Sequence, residues 1–263
     1  PAASSRCRVY VGPMPSTNGQ SVQTVDLTGT LVSADKPIQV FGGHDCTNIP
    51  ADVVACDHLE ESMAPVETLS TDYIVTPPVE PVSGTTANVQ MVRLIATAPA
   101  PALTYDPPQP GAPTLLGAAG DHAEIALTSG DFRVTASMPV LVAQYMRGRG
   151  AGSPGDTSMA IAVPIEQYRQ NYLFHAPTNY EANYVNVTAP VGSTITLGGA
   201  PVAGFSPIGG SGYAIARVRL SNAGDGNHRM VGDQPFGISV YGYGFATSYW
   251  YPGGQDLEKV STN

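Results

Sequence analysis

Pro65-Val66-Glu67-Thr68-Leu69-Ser70-Thr71-Asp72-Tyr73-Ile74-Val75 has a counterpart in Pro164-Ile165-Glu166-Gln167-Tyr168-Arg169-Gln170-Asn171-Tyr172-Leu173-Phe174. Proline, glutamate and tyrosine coincide at an offset of 99 residues without a gap, and the register extends to Pro78 and Pro177. Self-similarity at a fixed period is the mark of a repeated structural unit. A chain of 263 residues has room for two or three units of that size.

A second pattern occurs three times. It reads Asp35-Lys36-Pro37-Ile38-Gln39-Val40-Phe41-Gly42-Gly43, then Ser137-Met138-Pro139-Val140-Leu141-Val142-Ala143-Gln144-Tyr145, then Asp233-Gln234-Pro235-Phe236-Gly237-Ile238-Ser239-Val240-Tyr241. Each copy predicts a turn with proline at its second position, followed by a half-buried strand. A further strand and turn precede each copy, at Val22 to Val32, Ala123 to Val134 and Tyr213 to Met230, so each closes a hairpin. Repeats two and three open on additional strands, at Asp72 to Thr76 with Val89 to Thr97, and at Asn171 to Ala176 with Tyr184 to Ala189 and Ser193 to Leu197. Repeat one lacks this opening part, and the native chain is expected to continue upstream.

The fold expected is all-β, with tandem antiparallel β-sandwich-like modules spanning 1–62, 63–156 and 157–263. A single pseudo-symmetric barrel or propeller of three units is the alternative. Helix is confined to one or two turns within Pro50 to Glu61 and a turn at Asp256 to Val260. The proline-rich stretch Ala98 to Pro113 reads as an extended surface loop, and Arg147 to Asp156, with its four glycines, as an inter-repeat connection.

Composition narrows the partners. Charged residues make up 13% of the chain, against about 25% in an average soluble domain. The net charge is -9, and Lys36 and Lys259 are the only lysines. Phosphate backbones and anionic membranes need clustered cations, so nucleic acid and membrane surfaces are poor partners. No run of 18 apolar residues could span a bilayer. The chain starts at Pro1 without a signal peptide, which reads as a processed product or a fragment.

Three cysteines are present. Cys46 and Cys56 flank a turn-rich loop, and a disulfide there would contribute about 2.5–3 kcal/mol in the chain-entropy model. Two free buried thiols are the alternative, and a metal site with Asp57 and His58 would need more ligands. Cys7 is free or pairs with a cysteine upstream.

Several of these runs together resemble one family. They are Asp26-Leu27-Thr28-Gly29-Thr30, Asp35-Lys36-Pro37, Cys46-Thr47-Asn48-Ile49-Pro50, Cys56-Asp57-His58-Leu59, Val142-Ala143-Gln144-Tyr145, Ser158-Met159-Ala160 and Pro164-Ile165-Glu166-Gln167-Tyr168. The tail, Val240-Tyr241-Gly242-Tyr243-Gly244 and Tyr249-Trp250-Tyr251-Pro252-Gly253-Gly254, belongs to the same set. Across nearly the whole chain they are similar to the IgG-Fc-binding protein N-terminal domain family, as its C-terminal two-thirds or so. The resemblance implies a secreted or cell-surface, disulfide-bearing adhesion-type module. Fc binding is attributed to an animal mucus member, and no Fc-contact residues carry over to this sequence.

Chemistry-bearing constellations are sparse. Gly209-Gly210-Ser211-Gly212 lacks the spacing of a serine elbow and reads as a loop before a strand. The five histidines, His44, His58, His122, His175 and His228, form no close pair. Asp57, His58, Glu60 and Glu61 could make an acidic or metal-binding corner, or a capped turn with solvated glutamates. Asn222, Asp225 and Asn227 could offer oxygens to calcium, or simply build a hairpin turn. Asn186-Val187-Thr188 is a glycosylation sequon. No catalytic set, metal or cofactor is expected.

The aromatic run Tyr241, Tyr243, Phe245, Tyr249, Trp250, Tyr251 is the candidate binding patch, because tyrosine and tryptophan combine contact area with a polar handle. Alternation turns about half of them inward, so core and packing against a neighbouring repeat is the competing role. The function expected is non-catalytic binding of a protein or glycan. The alternative is a self-associating structural subunit of an extracellular assembly such as a surface layer, filament or mucus-like network.

Overall fold

The computed structural model describes residues 26–53, 55–81, 83–149 and 155–260. Cys7, the start of the first expected strand before position 26 and half of the glycine-rich connection lie outside them; the rest of that expected strand, Asp26 to Val32, is a turn and irregular chain instead. Among the described residues the regular structure is β, apart from two 3-10 turns at Val66–Thr68 and Ile165–Gln167. The helical turns expected within Pro50 to Glu61 and at Asp256 to Val260 do not form. A turn follows Pro50, and Asp57–Ser62 is a strand whose neighbours supply the backbone partners a short helix would have had to find alone.

Three antiparallel sheets follow one another. A hairpin, β1 (Phe41–Thr47) with β2 (Asp57–Ser62), comes first. The second sheet holds β3 (Ser70–Val75), β4 (Gln90–Ala96), β5 (Leu103–Asp106), β6 (His122–Thr128), β7 (Phe132–Met146) and β8 (Ser158–Ile161). The third holds β9 (Arg169–His175), β10 (Ala182–Pro190), β11 (Ile195–Leu197), β12 (Ala200–Pro201), β13 (Ser206–Pro207), β14 (Tyr213–Leu220), β15 (Asn227–Gly244) and β16 (Thr247–Pro252). Strand β5 falls inside the proline-rich stretch that the sequence presents as a loop. Its edge position on β7 tolerates the prolines around it.

Each large sheet is organised by one long strand. β7 pairs with β3 and β5 through Phe132 to Ala136, then with β4 and β8 through Val140 to Met146. β15 pairs with β9 and β11 through Asn227 to Gly232, then with β10 and β16 through Gly237 to Gly244. The partner of β4 is β6, and the partner of β10 is β14. The changeover in each long strand coincides with a register shift, between Ser70 and Asp72 on one side and between Val231 and Phe236 on the other. Pro139 and Pro235 sit at these changeovers. The expected turn is thus a bend within a continuous strand. A bulge leaves its extra residue unpaired, so a proline there costs no ladder bond.

A buried tyrosine fixes each bend. The Tyr73 hydroxyl accepts from the Ser70 amide at 3.0 Å and donates to the Val140 carbonyl at 2.6 Å. The Tyr172 hydroxyl accepts from the Arg169 amide at 3.0 Å and donates to the Phe236 carbonyl at 2.5 Å. The two halves of each bent strand then close over one apolar core. Tyr73, Leu103 and Phe132 meet Val92, Ile125 and Val142 in the first, and Tyr172, Ile195 and Met230 meet Val187, Ala216 and Val240 in the second.

The two large sheets are joined through a broad seam. Asn186 donates to Thr76 Oγ1 and the Pro77 carbonyl, at 3.2 and 2.9 Å. Arg217 bridges the Pro77 carbonyl and Asp131, the latter at 2.5 Å. Arg133 pairs with Asp72 and reaches the Ser211 carbonyl. The tail after β16 straps both 3-10 turns, with Gln167 and Glu258 exchanging hydrogen bonds and the Val260 amide donating to the Glu67 carbonyl.

Candidate functional site

The aromatic run divides between interior and surface. Strand β15 is covered on both faces beyond its bend. Phe236, Ile238 and Val240 enter the core of their own sheet, while Tyr241 and Tyr243 turn to the seam. Tyr241 and Tyr243 there meet Tyr184 and Trp250, with Val79, Met146 and Ala160 of the preceding sheet against them. The Tyr241 hydroxyl accepts from the Val79 amide at 3.0 Å and donates to Asn186 Oδ1 at 2.8 Å. The Tyr243 hydroxyl donates to the Val79 carbonyl at 2.6 Å. Burial pushes both phenols above their ordinary range. Tyr241, Tyr243 and Trp250 are therefore removed from the candidate patch, because a sheet of the same chain already occupies their face.

Three of the six remain accessible. Phe245 projects at the β15–β16 turn with 73% of its surface exposed. Tyr249 and Tyr251 are half-buried and stack on each other, ring centres 6.1 Å apart. The Tyr251 hydroxyl donates to the His175 carbonyl at 2.6 Å, which ties β16 to β9. Burial lifts the Tyr251 phenol to about 12.

Between these strands lies an open groove of about 590 Å³, lined by Leu173, His175, Pro177, Tyr249, Tyr251 and Gly254 among others. Leu173 stands 78% exposed on β9. Beside it Arg169, Asn171 and Arg229 form a polar shoulder. The groove wall on β9 escaped the sequence reading. Its one available signal was the alignment of Leu173 with Ile74, which is only 5% exposed.

The remaining candidates resolve into local structure. Cys46 and Cys56 form a disulfide, Cα atoms 5.0 Å apart, that closes the β1–β2 hairpin. His58 and Glu60 make an exposed contact at 3.4 Å, with Asp57 capping the His58 amide. Among the described residues no three histidine, cysteine, aspartate or glutamate side chains converge as a metal site would require. The Asp225 carboxylate accepts both from the amide and from the side chain of Asn227, which holds it below the usual carboxylate range. Asn222 binds the Tyr180 carbonyl instead of facing Asp225.

Glu61 of this corner has a displaced titration. Burial lifts it to about 7 from 4.5, against the lowering effect of the Ser62 amide. The folded hairpin thus keeps a proton that the unfolded chain releases. Its stabilising effect is complete below pH 4.5, declines through the window between 4.5 and 7, and is gone above it. Glu61→Gln should flatten the fall in melting temperature across that window relative to the wild type. Equal slopes for the two proteins would refute the assignment.

A family model described as "IgGFc binding protein" matches residues 16–242. The chain belongs to the IgGFc-binding protein family. No curated protein matches it. The family match includes β1 to β14 and nearly all of β15, so the seam tyrosine Tyr241 falls inside it and β16 falls beyond it. No helix among the described residues of this family member is long and apolar enough to cross a membrane.

Proposed function

We propose that the chain is a secreted, non-catalytic binding module that takes a protein or glycan partner on the groove between β9 and β16. The groove itself carries this reading, since Leu173 stands 78% exposed beside Tyr251 and Pro177 in a chain with a well-packed interior. An exposed apolar patch with an aromatic and polar rim is the usual form of an interaction site. The family description names a protein ligand, and the disulfide fits an oxidising compartment.

The module boundaries, 1–62, 63–156 and 157–263, belong to this reading as successive copies of one β unit. The matching order of partners along β7 and β15 supports it, and so do the twin tyrosine bends. In that arrangement β8 reaches back from the third stretch to complete the sheet of the second. A structural subunit of an extracellular assembly is the second reading. It is favoured by exposed Ile38 and Phe41 at the opposite end of the chain, 54% and 59% exposed.

The groove is tested by capture on immobilised IgG Fc fragment and on an immobilised mucin-type glycoprotein. Leu173→Glu and Leu173→Ser should each weaken whichever capture the wild type shows by roughly tenfold or more, the effect of losing a contact worth about 1.4 kcal/mol. Capture by both variants at wild-type strength would place the contact elsewhere.

A further inference from the structure

One kind of joint is made twice within the chain. At the first, Ile49 and Leu59 of the hairpin region pack on Met91, Tyr145 and Met159. At the second, Val79, Met146 and Ala160 pack on Tyr184, Tyr241 and Trp250. The receiving residues occupy matching register positions: Met91 and Met159 flank Tyr145, and Tyr184 and Trp250 flank Tyr241. An ion pair also lies beside each joint. Asp26 meets Arg93 at 3.0 Å, and Asp131 meets Arg217 at 2.5 Å.

Among the described residues each end of this series leaves one such surface uncovered. On β3, Ile74 lies opposite Arg133 and is covered by Ile208 and Ile215. On β9, Leu173 lies opposite Arg229 at the matching position and is bare. Ala160, buried at the second joint, is matched by Tyr251, which lines the groove. At the other end, alignment on the recurring proline places Gly43 where Tyr145 and Tyr241 stand. Gly43 pairs with Glu60, and Phe41 lies two residues before it on the same exposed face of β1.

We propose that the chain assembles head to tail with further copies of itself, the Leu173–Tyr251 groove of one copy seating on the Phe41 face of the next. This rests on the groove being the binding surface, and it names the occupant. The charges are complementary: Arg229 borders the groove, beside Arg169 in its pair with Asp256 at 3.7 Å, while Glu60 and Asp45 lie exposed on the hairpin, 58% and 80% open at the side chain. The two surfaces differ, so the contact is heterologous and propagates into a filament or closes into a ring.

Sedimentation velocity over a concentration series tests this with the full chain. The wild type should grow in mean mass with concentration. Leu173→Glu and Phe41→Glu should each stay monomeric, since each retains only one working end. Mixed in equal amounts they should form a dimer that does not grow, because the intact groove of one meets the intact hairpin of the other. Both positions are exposed, so unchanged melting temperatures are expected, and Leu173→Ser and Phe41→Ser serve as milder equivalents. A wild type that stays monomeric throughout overturns the proposal, as does a variant that associates like the wild type or a mixture that stays monomeric. If the wild type is monomeric while Leu173→Glu still loses Fc or glycoprotein capture, self-assembly fails and the groove reading stands.

Discussion

Tyr241→Ala should lower the unfolding free energy by about 3–5 kcal/mol, the range for emptying a buried aromatic site. The ring is fully buried, stacks on Tyr184 with centres 5.6 Å apart, and meets Tyr243 edge-on at 6.0 Å. Its hydroxyl also holds the Val79 amide, and holds Asn186 in the position from which it reaches Thr76 and Pro77. The substitution therefore opens a cavity and strands buried polar groups of both sheets at once. Tyr241→Phe keeps the ring and should cost about 1–3 kcal/mol, the penalty for buried groups left unpaired. Urea unfolding at unchanged m value reads both effects. An alanine variant within 1 kcal/mol of the phenylalanine variant would mean that Tyr184, Tyr243 and Trp250 collapse into the space and that packing is not what Tyr241 supplies.

Loss of the Cys46–Cys56 bond ranks second. Chain entropy assigns about 2.5–3 kcal/mol to a loop of this length. The effect should fall on the β1–β2 hairpin, whose cover over Met91, Tyr145 and Met159 depends on Ile49 and Leu59 near the bridge. Double replacement by serine should lower the melting temperature and make backbone amides of Phe41 to Thr47 exchange faster, with those of β15 less affected. Mass measurement with alkylation checks the premise. Two alkylatable thiols at these positions in the unreduced, denatured protein would remove it.

Alternating apolar residues and the abundance of glycine and proline made the strands legible. The Pro-x-Glu-x-x-x-x-x-Tyr pattern marked the two places where a 3-10 turn feeds a strand. The bond between Cys46 and Cys56 was visible in their spacing as one of three readings, beside free thiols and a metal site. What the sequence hid was partnership over long distance. Pro139 and Pro235 carry the local signature of a turn, and only the exchange of partners along β7 and β15 lets the strand run through them. Alternation assigns Tyr241 and Tyr243 to one face, yet it cannot say that Val79, over 160 residues away, covers that face. The pairings Asp131–Arg217 and Asp72–Arg133 give no local hint either, because an isolated charge in a strand reads as solvated. Leu173 looked like any alternating strand residue. Its meaning comes from being bare where Ile74 is covered.

The seam between the sheets has a thermal consequence. It mixes apolar contact with the Asp131–Arg217 pair, whose side chains are 22% and 15% exposed, and with the Arg133 bond to the Ser211 carbonyl. Hydration of charged groups becomes less favourable on heating, so the penalty for keeping them out of water falls while apolar stabilisation per unit area levels off. Warming therefore should not weaken the joint sooner than the cores within each sheet. We therefore expect the chain from β3 to β16 to melt as one unit, seen in calorimetry as a single transition whose calorimetric and van't Hoff enthalpies agree.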